Sequence, residues 1–341
     1  MSTVVTFVLP TMNRRPQILR AVESCLAIAS PRIVPHVLIV DGTSTDGTWE
    51  LLVETYGDDQ RVTLTRNATG TGYQRSAFEG AAQVASDWAT FMYDDDVLSP
   101  EFGRLIEAML DADCRFAMGY GALYPVAGRY DFKALGESTQ VLDGASLTRA
   151  YFGFTDAVAS SQLPVNPICA VLPGPLLREW VGICWRFVAG SRFRQYFVIE
   201  RNIGCDLLTY LVGIRRAGKA LLADRVLAQF SEHPRSMSLE YGWPHLQIGY
   251  WLARIWLVDE CLRDGDIEEA AACGLFVVLE GAKIAVKSLG NRERRWFFAI
   301  ASEVLGLTGR LLVGCGARRL LWMTGVTLRH VLRPAPLTVP D

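Results

Sequence analysis

Apolar runs alternate with amphipathic stretches along the first third of the chain. Residues 4–9, 33–40 and 88–93 are mostly apolar at successive positions, whereas residues 16–29 carry apolar side chains at a helical spacing. A strand that is apolar on both faces is buried on both faces, and helices between such strands cover the sheet. The pattern predicts an α/β fold with a mostly parallel sheet, flanking helices and right-handed crossovers.

Weaker signals extend this pattern along the chain. Further helices are predicted over residues 46–56, 73–85 and 101–110, and further strands over residues 62–64 and 115–119. Residues 125–240 have a mixed pattern that is richer in Gly and Pro. The C-terminal part is mainly helical, with helices predicted over residues 243–262, 267–289, 294–305 and 311–332.

Polar residues follow four of the predicted strands. They are 10–14 after the first strand, 41–46 after the second, 66–67 after the third and 94–96 after the fourth. In open sheets of this kind, ligands bind outside the carboxyl ends of the strands. The four polar clusters are therefore expected to line one crevice.

The densest of these clusters is Asp94-Asp95-Asp96, which closes an apolar run. Adjacent anions repel one another and are costly to desolvate, so a chain that places them beside a buried strand usually supplies a cation. Hard cations with oxygen ligands, Mg²⁺ or Mn²⁺, are the expected match, and such ions serve phosphate chemistry. The alternative is a solvated acidic turn.

Composition narrows the function classes. The chain has 341 residues, half of them hydrophobic, and a net charge of −2, which argues against general nucleic-acid binding. Its eight cysteines include no CxxC pair, which suits a reducing compartment. The N-terminus shows no secretory signal, and no uninterrupted apolar run approaches the length of a spanning helix. We expect a cytoplasmic protein with peripheral membrane contact as a possibility.

Three segments, in this order and spacing, carry a resemblance to a known family. They are VTFVLPTMNR, VLIVDGTSTDGTWELL and NATGTGYQRSAFEGAAQVASDWATFMYDDDVLSPEF. The chain resembles a family 2 glycosyltransferase with the GT-A fold, well over residues 4–111 and loosely over residues 160–240. The resemblance implies a catalytic domain over residues 1–240, with a nucleotide-binding part (1–111) and an acceptor-side part (112–240), followed by a helical region (241–341).

The resemblance also implies an activity. Such an enzyme moves a sugar from a nucleotide-diphosphate sugar, with UDP-sugars favoured, to an acceptor hydroxyl, with inversion and with Mn²⁺ or Mg²⁺ as cofactor. The expected acceptor is a cell-surface glycan or a lipid-linked oligosaccharide. Two alternatives stay open: a catalytically degenerate relative that acts as a binding or assembly subunit, and a sugar nucleotidyltransferase on the same fold.

For the nucleotide, the family's pattern falls on five residues. Asp41 matches the aspartate that accepts the uracil imide N–H, while Thr11, Asn13 and Arg14 lie where base and ribose are held. Arg75, after the Gly-rich lead of its helix, matches a position near the nucleotide. Ordinary roles compete with each assignment: a turn aspartate, a helix cap, a solvated charge and a Gly-rich turn.

For the metal, the family motif is often written D-x-D. Aligned on the Val-Leu that follows, Tyr93 takes the place of the first aspartate, Asp94 the middle position and Asp95 the last. Asp95 is then the best metal ligand and Asp94 a ribose or metal contact. His233 matches a loop histidine that binds metal or diphosphate, and Arg235 a phosphate contact, although a surface loop explains both.

The catalytic base is expected just before a helix, where the family carries an acidic pair. Asp206 is the first candidate and Glu200 the reserve, while Cys205 stands where the family usually has Glu. A helix-start aspartate would be the structural alternative. Trp180 and Trp185 either stack on sugars or belong to the core.

The C-terminal region has its own charge. Residues 291–333 contain eight Arg and two Glu among apolar positions. An amphipathic helix at an anionic membrane surface, packing on the catalytic domain and contact with a second subunit explain this composition equally well.

Overall fold

The computed structural model describes residues 2–67, 73–124, 138–152, 163–231, 237–289, 294–317 and 320. Within these residues, nine strands form one mixed sheet. Its order is β3-β2-β1-β4-β8-β6-β9-β5, and β7 pairs with β9 outside this path. The predicted α/β class, with helices flanking a largely parallel sheet, is confirmed.

The first half of the sheet is parallel. Its strands are β1 (Thr3–Thr11), β2 (Ile33–Asp41), β3 (Val62–Arg66) and β4 (Trp88–Phe91). The helices around them are α1 (Ile18–Leu26), α2 (Thr48–Tyr56), α3 (Tyr73–Gln83) and α4 (Glu101–Asp111). Strand β1 pairs in parallel with both β2 and β4, so their carboxyl ends meet at one edge.

The second half is mostly antiparallel. Its strands are β5 (Val97–Leu98), β6 (Ala117–Tyr124), β7 (Thr139–Asp143), β8 (Ala170–Pro173) and β9 (Lys219–Ser231). Its helices are α5 (Gly144–Tyr151), α6 (Gly174–Val188), α7 (Arg192–Gln195), a π-helical turn (Tyr196–Glu200) and α8 (Cys205–Ala217). Only β6 and β9 pair in parallel here, while β5, β7 and β8 pair antiparallel with their neighbours.

Apolar side chains fill both faces of the sheet. One cluster lies between the sheet and α1, α2 and α4, and the other lies between the sheet, α3, α6, α8 and the C-terminal helices. Trp180 belongs to the second cluster, with its ring edge-on to Phe78 and Phe91 at centroid distances of 5.1 and 5.2 Å. Trp180 is therefore a core residue, whereas Trp185 is 44% exposed. The eight cysteines are all free.

Three helices follow the sheet: α9 (Met237–Asp264), α10 (Ile267–Leu289) and α11 (Phe297–Cys315), the last after a 3-10 turn at Arg294–Trp296. The predicted break between residues 305 and 311 is wrong. Helix α11 continues there because Leu307 and Leu311 are buried, and Leu311 packs against Gly274 of α10. The predicted end of the last helix, residues 321–332, lies outside the described residues.

Helix α9 touches the segment before α8 backbone to backbone. A Cβ atom at Gly204 would lie 2.2 Å from the Gly249 carbonyl oxygen, and Gly204 has φ +90°, so only glycine fits there. Further along α9, the Trp251 indole donates a hydrogen bond to the Val277 carbonyl of α10 at 2.8 Å. The division expected at residue 240 falls in the first turn of α9.

Candidate active site

The carboxyl ends of the parallel strands bring the predicted polar clusters together. The register places Thr11 opposite Asp41, and Asp41 opposite Arg66. Strand β4 lies on the other side of β1, and the acidic residues that follow it reach the residues after Thr11 through Arg14. One edge of the sheet therefore carries Asp41 and the acidic cluster.

Asp41 is fully buried and well satisfied. Its carboxylate accepts hydrogen bonds from the Ser44 backbone N–H at 3.0 Å and from the Ser44 hydroxyl at 2.5 Å. Arg66 Nε donates to it at 3.1 Å, and the same guanidinium lies over the Trp49 ring at 5.1 Å. Two carboxylate oxygens offer about four acceptor positions, so a ligand N–H has at most one left to use. The sequence did not reveal the contact of Asp41 with Arg66.

Asn13 and Arg14 hold the loops around this edge. Asn13 has φ +56°, and its side-chain oxygen accepts from the Thr45 backbone N–H at 2.8 Å. Arg14 Nε donates to Asp94 Oδ1 at 3.2 Å, and Arg14 Nη2 lies 3.8 Å from Asp95 Oδ2. Arg14 thus brings a positive charge to the acidic cluster, a contact that sequence spacing could not indicate across 80 positions.

Within the cluster the three carboxylates have different surroundings. Asp94 and Asp96 are buried and Asp95 is half-buried. Asp96 Oδ1 accepts from the Ser231 backbone N–H at 2.8 Å, which ties the cluster to the end of β9. The Asp95 backbone carbonyl accepts from the Ser231 hydroxyl at 2.5 Å and from Arg20 Nη2 at 3.2 Å.

These surroundings raise the pKa values of two of the three carboxyl groups. Burial, and then the charge of Asp95, raise the pKa of Asp94 to about 7, against the opposing effects of Arg14 and Thr11. Burial and Asp95 also raise the pKa of Asp96 well above its usual value. A divalent cation would supply the charge that lowers both pKa values again.

A metal ion fits the donors here only in part. Among the described residues, no three His, Cys, Asp or Glu side chains come together at metal-ligand spacing. Mg²⁺ and Mn²⁺ bound to a nucleotide often take one or two carboxylates and complete their shell with phosphate oxygens and water. Asp95, with Asp94 beside it, matches that pattern. The predicted metal residue His233 and the predicted phosphate contact Arg235 lie outside the described residues.

A separate pocket holds Asp206. Asp206 lies in the first turn of α8, and Tyr93 Oη donates a hydrogen bond to its Oδ1 at 3.3 Å across a separation of 113 positions. The walls come from the sheet, α3, α6 and α8 and are formed by Gln74, Ala77, Phe91, Tyr93, Pro167, Trp180, Asn202, Cys205, Asp206 and Thr209. The pocket connects the loop after β4 with the start of α8.

Burial raises the pKa of Asp206 to about 7, although the Tyr93 hydroxyl lowers it. A carboxylate that titrates near neutral pH suits proton transfer to and from a hydroxyl. Asp206 is half-buried by its accessible surface, so a ligand can reach it. The site therefore offers a proton acceptor beside an acidic, cation-attracting edge.

Of the remaining predicted residues, two are exposed and one is buried. Glu200 is exposed at the end of the π-helical turn and is not part of the pocket wall. Cys205 is buried: its thiol donates to the Val198 carbonyl at 3.3 Å and accepts from Gln74 Nε2 at 3.3 Å. Arg75 is exposed in the first turn of α3.

Comparison with known proteins gives a family match for the N-terminal part of the chain. Residues 6–154 match the model of glycosyl transferase family 2. This segment is a family 2 glycosyltransferase domain, and the protein is a glycosyltransferase. The match ends before α8, so Asp206 lies outside it. No curated protein matches the chain.

Solved structures share the fold over nearly the whole chain. S. aureus TarS 1–349 in complex with UDP-GlcNAc is 15% identical, with a TM-score of 0.60, over 97% of this chain and 89% of that one. A second crystal structure of TarS 1–349 gives a TM-score of 0.58 at 15% identity and the same coverage. The complex with UDP gives 0.54 at 13% identity, again over 97% and 89%. At this identity the likeness concerns the fold, and the chain shares the GT-A-like fold of TarS.

Proposed function

We propose that this glycosyltransferase transfers a sugar from a UDP-sugar to an acceptor hydroxyl, with inversion and with the help of Mn²⁺ or Mg²⁺. The contact between Tyr93 and Asp206 carries the proposal, because it joins the acidic loop after β4 to the candidate base. In a transferase, the residues that hold the donor phosphates and the residue that accepts the proton must lie close enough to contact the reacting molecules at the same time. The contact between Tyr93 and Asp206 supports such an arrangement.

On the donor side, Asp41 and the residues after β1 form the nucleotide end. The carboxylate of Asp41 is held by Ser44 and Arg66, so its orientation is fixed before a base arrives. Thr11 and Asn13 border the same edge, and Arg75 is assigned to the nucleotide by resemblance alone. S. aureus TarS is described in complex with UDP-GlcNAc and with UDP, which favours a UDP-sugar as donor here.

At the diphosphate, Asp95 and Asp94 would hold the divalent ion, with His233 and Arg235 as further contacts. When bound, the ion offsets the charge that builds on the departing diphosphate. Arg14 contacts both carboxylates and so holds them in place before the ion and donor bind. Asp96 fastens the loop to β9 through Ser231.

On the acceptor side, Asp206 would take the proton from the attacking hydroxyl at Oδ. Its pKa of about 7 gives a substantial unprotonated fraction at neutral pH while keeping it basic enough to accept a proton. A single displacement at the sugar carbon then inverts its configuration. Glu200 is kept as the reserve base.

The acceptor, the cellular location and the domain division are proposed from the resemblance to family 2 glycosyltransferases. The acceptor class is a cell-surface glycan or a lipid-linked oligosaccharide, and the enzyme works in the cytoplasm. Residues 1–240 would form the catalytic domain, with a nucleotide-binding part (1–111) and an acceptor-side part (112–240), and residues 241–341 the helical region.

The competing proposal is a degenerate glycosyltransferase that binds without turnover. Tyr93 and Cys205 favoured it, because each stands where an acidic residue is more common. However, Tyr93 contacts Asp206, and Cys205 is buried and hydrogen-bonded to Gln74 and Val198. Neither substitution removes the candidate base.

The test combines binding and turnover. Purified full-length protein is screened by thermal shift against UDP, GDP and UDP-GlcNAc, with MnCl₂ or with EDTA. A ligand at a hundred times its Kd adds about 2.7 kcal/mol of stability to the folded state. We expect uridine nucleotides to raise the Tm in the presence of Mn²⁺, and slow release of UDP from the sugar nucleotide. Binding without any release across a donor panel would favour the degenerate protein, and no binding at all would overturn the proposal.

A further inference from the structure

The outward side of α11 carries large apolar side chains along most of its length. Phe298, Leu305 and Leu312 are spaced by seven positions and are 79, 72 and 48% exposed, and Val313 beside them is 90% exposed. Residues seven apart lie nearly one above another on a helix, so these side chains form one strip. We call these four residues the outer strip.

The opposite side of α11 is fastened to the rest of the protein. Ile300, Leu307 and Leu311 are buried against neighbouring helices. Two ion pairs add to this contact and use both charged residues of the helix: Arg194 Nη2 lies 2.6 Å from Glu303 Oε2, and Arg310 Nε lies 2.8 Å from Asp259 Oδ1. The orientation of the helix is therefore fixed, and the outer strip is held outward.

Cationic side chains lie at the start of this strip. Lys287, Arg294 and Arg295 are exposed where α10 ends and α11 begins, and we call them the basic corner. Arg294 Nε donates to the Leu289 carbonyl at 3.0 Å, which holds the corner against the end of α10. Leu289 is itself 45% exposed, so apolar and cationic groups are mixed here.

We propose that α11 lies flat on an anionic membrane surface, with the outer strip in the boundary of the acyl chains and the basic corner among the lipid headgroups. Exposed aliphatic and aromatic side chains on one helix face, next to Lys and Arg, are the combination that binds such a surface. Each component is weak alone, and together they give reversible attachment. The proposal does not depend on the glycosyltransferase site.

Length and composition alone would also let residues Arg294–Cys315 cross a membrane, with 17% of an 18-residue window within that stretch buried in the protein. The ion pairs argue against crossing. A spanning α11 would have to break the contacts of Glu303 with Arg194 and of Arg310 with Asp259, and then carry both charges into the hydrocarbon. Lying in the surface plane keeps every one of these contacts.

The experiment is co-sedimentation of the full-length protein with vesicles of phosphatidylcholine alone or with about one-third phosphatidylglycerol, an anionic content chosen so that surface charge attracts cations. We expect binding to the anionic vesicles at least tenfold stronger than to the neutral ones, and loss of most of it in high salt. Leu305→Glu should lower that binding at least tenfold. Val53→Glu, which changes an exposed valine on α2, is the matched control and should bind like the unchanged protein.

Four outcomes overturn the proposal. They are no binding by the unchanged protein, equal binding by Leu305→Glu, resistance to alkaline carbonate extraction, which indicates a spanning helix, and a dimer that forms without vesicles and is lost in Leu305→Glu. The last would assign the outer strip to a second copy. Circular dichroism on each variant confirms that the fold is intact.

A second inference concerns Tyr93 and rests on the proposed function. We infer that Tyr93 positions Asp206, by donating its O–H to Oδ1 and so fixing which carboxylate oxygen faces the acceptor. In this chain a tyrosine thus replaces a carboxylate of the acidic motif and reaches the base instead. A carboxylate at this position would face Asp206 with like charge, which the hydroxyl avoids.

The predicted signature is a shift in pH dependence. The ionisable groups that act on Asp206 are Tyr93, and Tyr210 and Tyr250, whose own pKa values are raised by burial and by Asp206. A donated hydrogen bond favours the charged carboxylate, so Tyr93→Phe should move the acidic limb of kcat/KM to higher pH by about one unit. A merely structural defect would lower the rate equally at every pH.

Tyr56→Phe is the matched control, because the Tyr56 hydroxyl is buried without a hydrogen-bond partner among the described residues. It should leave the profile unchanged. An acidic limb that stays in place in Tyr93→Phe, with normal UDP binding by thermal shift, overturns the role of Tyr93 while the proposed function stands. If the unchanged protein binds UDP-sugar but shows no turnover at any pH, both the proposed function and the role of Tyr93 fail.

Discussion

The carboxylates at the sheet edge and the carboxylate in the neighbouring pocket have different hydrogen-bond partners. Asp41 and Asp94 each accept a hydrogen bond from an arginine, Arg66 and Arg14 respectively, at 3.1 and 3.2 Å. Asp206, in the neighbouring pocket, has a tyrosine hydroxyl as its side-chain partner in the described part of the chain. An arginine holds a carboxylate with a positive charge, whereas a hydroxyl holds it without one. Because burial raises the pKa of Asp94 and of Asp206 alike to about 7, the difference between them lies in the partner: Arg14 ties Asp94 to the residues after β1, while Tyr93 holds Asp206 in the wall of a pocket.

The comparison predicts its largest effect at the pocket. Asp206→Asn keeps the size of the side chain and removes the proton acceptor, so kcat should fall by about 10²–10⁴-fold while the Kd for UDP is unchanged. Initial rates of UDP release and thermal shift measure the two quantities. Glu200→Gln is the control and should change kcat less than twofold. If Glu200→Gln abolishes turnover instead, the base has been assigned to the wrong residue.

At the acidic cluster, Asp95→Asn should lower the affinity for the metal ion and, with it, the metal-dependent activity. Replacing one oxygen ligand of a hard cation lowers its affinity, and we expect a loss of about 10–100-fold in kcat/KM, partly restored by more Mn²⁺. Titration of activity against MnCl₂ gives the apparent metal affinity. Asp58→Asn, at an exposed position on another surface, should leave that curve unchanged. An unchanged curve for Asp95→Asn would remove the metal role.

Asp206→Asn should lower activity but raise the free energy of unfolding at high pH. The raised pKa of Asp206 means that the folded protein binds more protons than the unfolded chain between pH 4 and 7, so stability falls as pH rises through that window. A shift from 3.8 to about 7 corresponds to at most about 4 kcal/mol, and partial exposure reduces the expected loss to about 2 kcal/mol. Asp206→Asn should escape this part of the loss, making it more stable than the unchanged protein at pH 8.

Urea unfolding at pH 5 and pH 8, in EDTA, measures that difference. Asp94 and Asp96 have raised pKa values too, so both proteins should lose stability with rising pH, and the unchanged protein should lose more. Equal slopes for the two proteins would mean that burial of Asp206 costs nothing in the folded state.

The smallest effect is expected at an ion pair. Arg66→Gln leaves the buried Asp41 carboxylate without its cation and should lower the free energy of unfolding by about 1–3 kcal/mol. Arg61→Gln, directly before the same strand, breaks an ion pair with Asp59 in which the Arg61 side chain is half exposed, and should cost less than about 1 kcal/mol. Chemical denaturation compares the two variants. Equal losses would mean that Asp41 is stabilised by Ser44 alone.

The sequence predicted the parts of this molecule that depend on local pattern. Continuous apolar runs identified three of the four parallel strands, β1, β2 and β4, and the ends of these strands identified Asp41 and the acidic cluster, because a buried strand has a simple sequence signature. Strand β3 gave a weaker signal because it is partly exposed. The antiparallel strand β5 has two residues, too few for a pattern to develop. The break predicted within α11 was wrong because tertiary packing of the buried Leu307 and Leu311 keeps the helix continuous there.

Contacts between distant segments could not be predicted. Arg14 and Asp94 are 80 positions apart, and Tyr93 and Asp206 are 113 apart. Spacing within one element does not report such pairs. Tyr93 looked like a departure from the expected motif, and only its neighbour in space gives it a role.

The glycine contact between α9 and the segment before α8 links the two ends of the molecule. Gly204 directly precedes the helix that bears Asp206, and Gly249 lies on the same helix as Trp251, which contacts α10. A displacement of the C-terminal helices should therefore displace Asp206 as well. The two backbones are in direct contact, so there is no side chain between them that could change conformation and take up the movement. Enlarging either glycine should disturb both ends together.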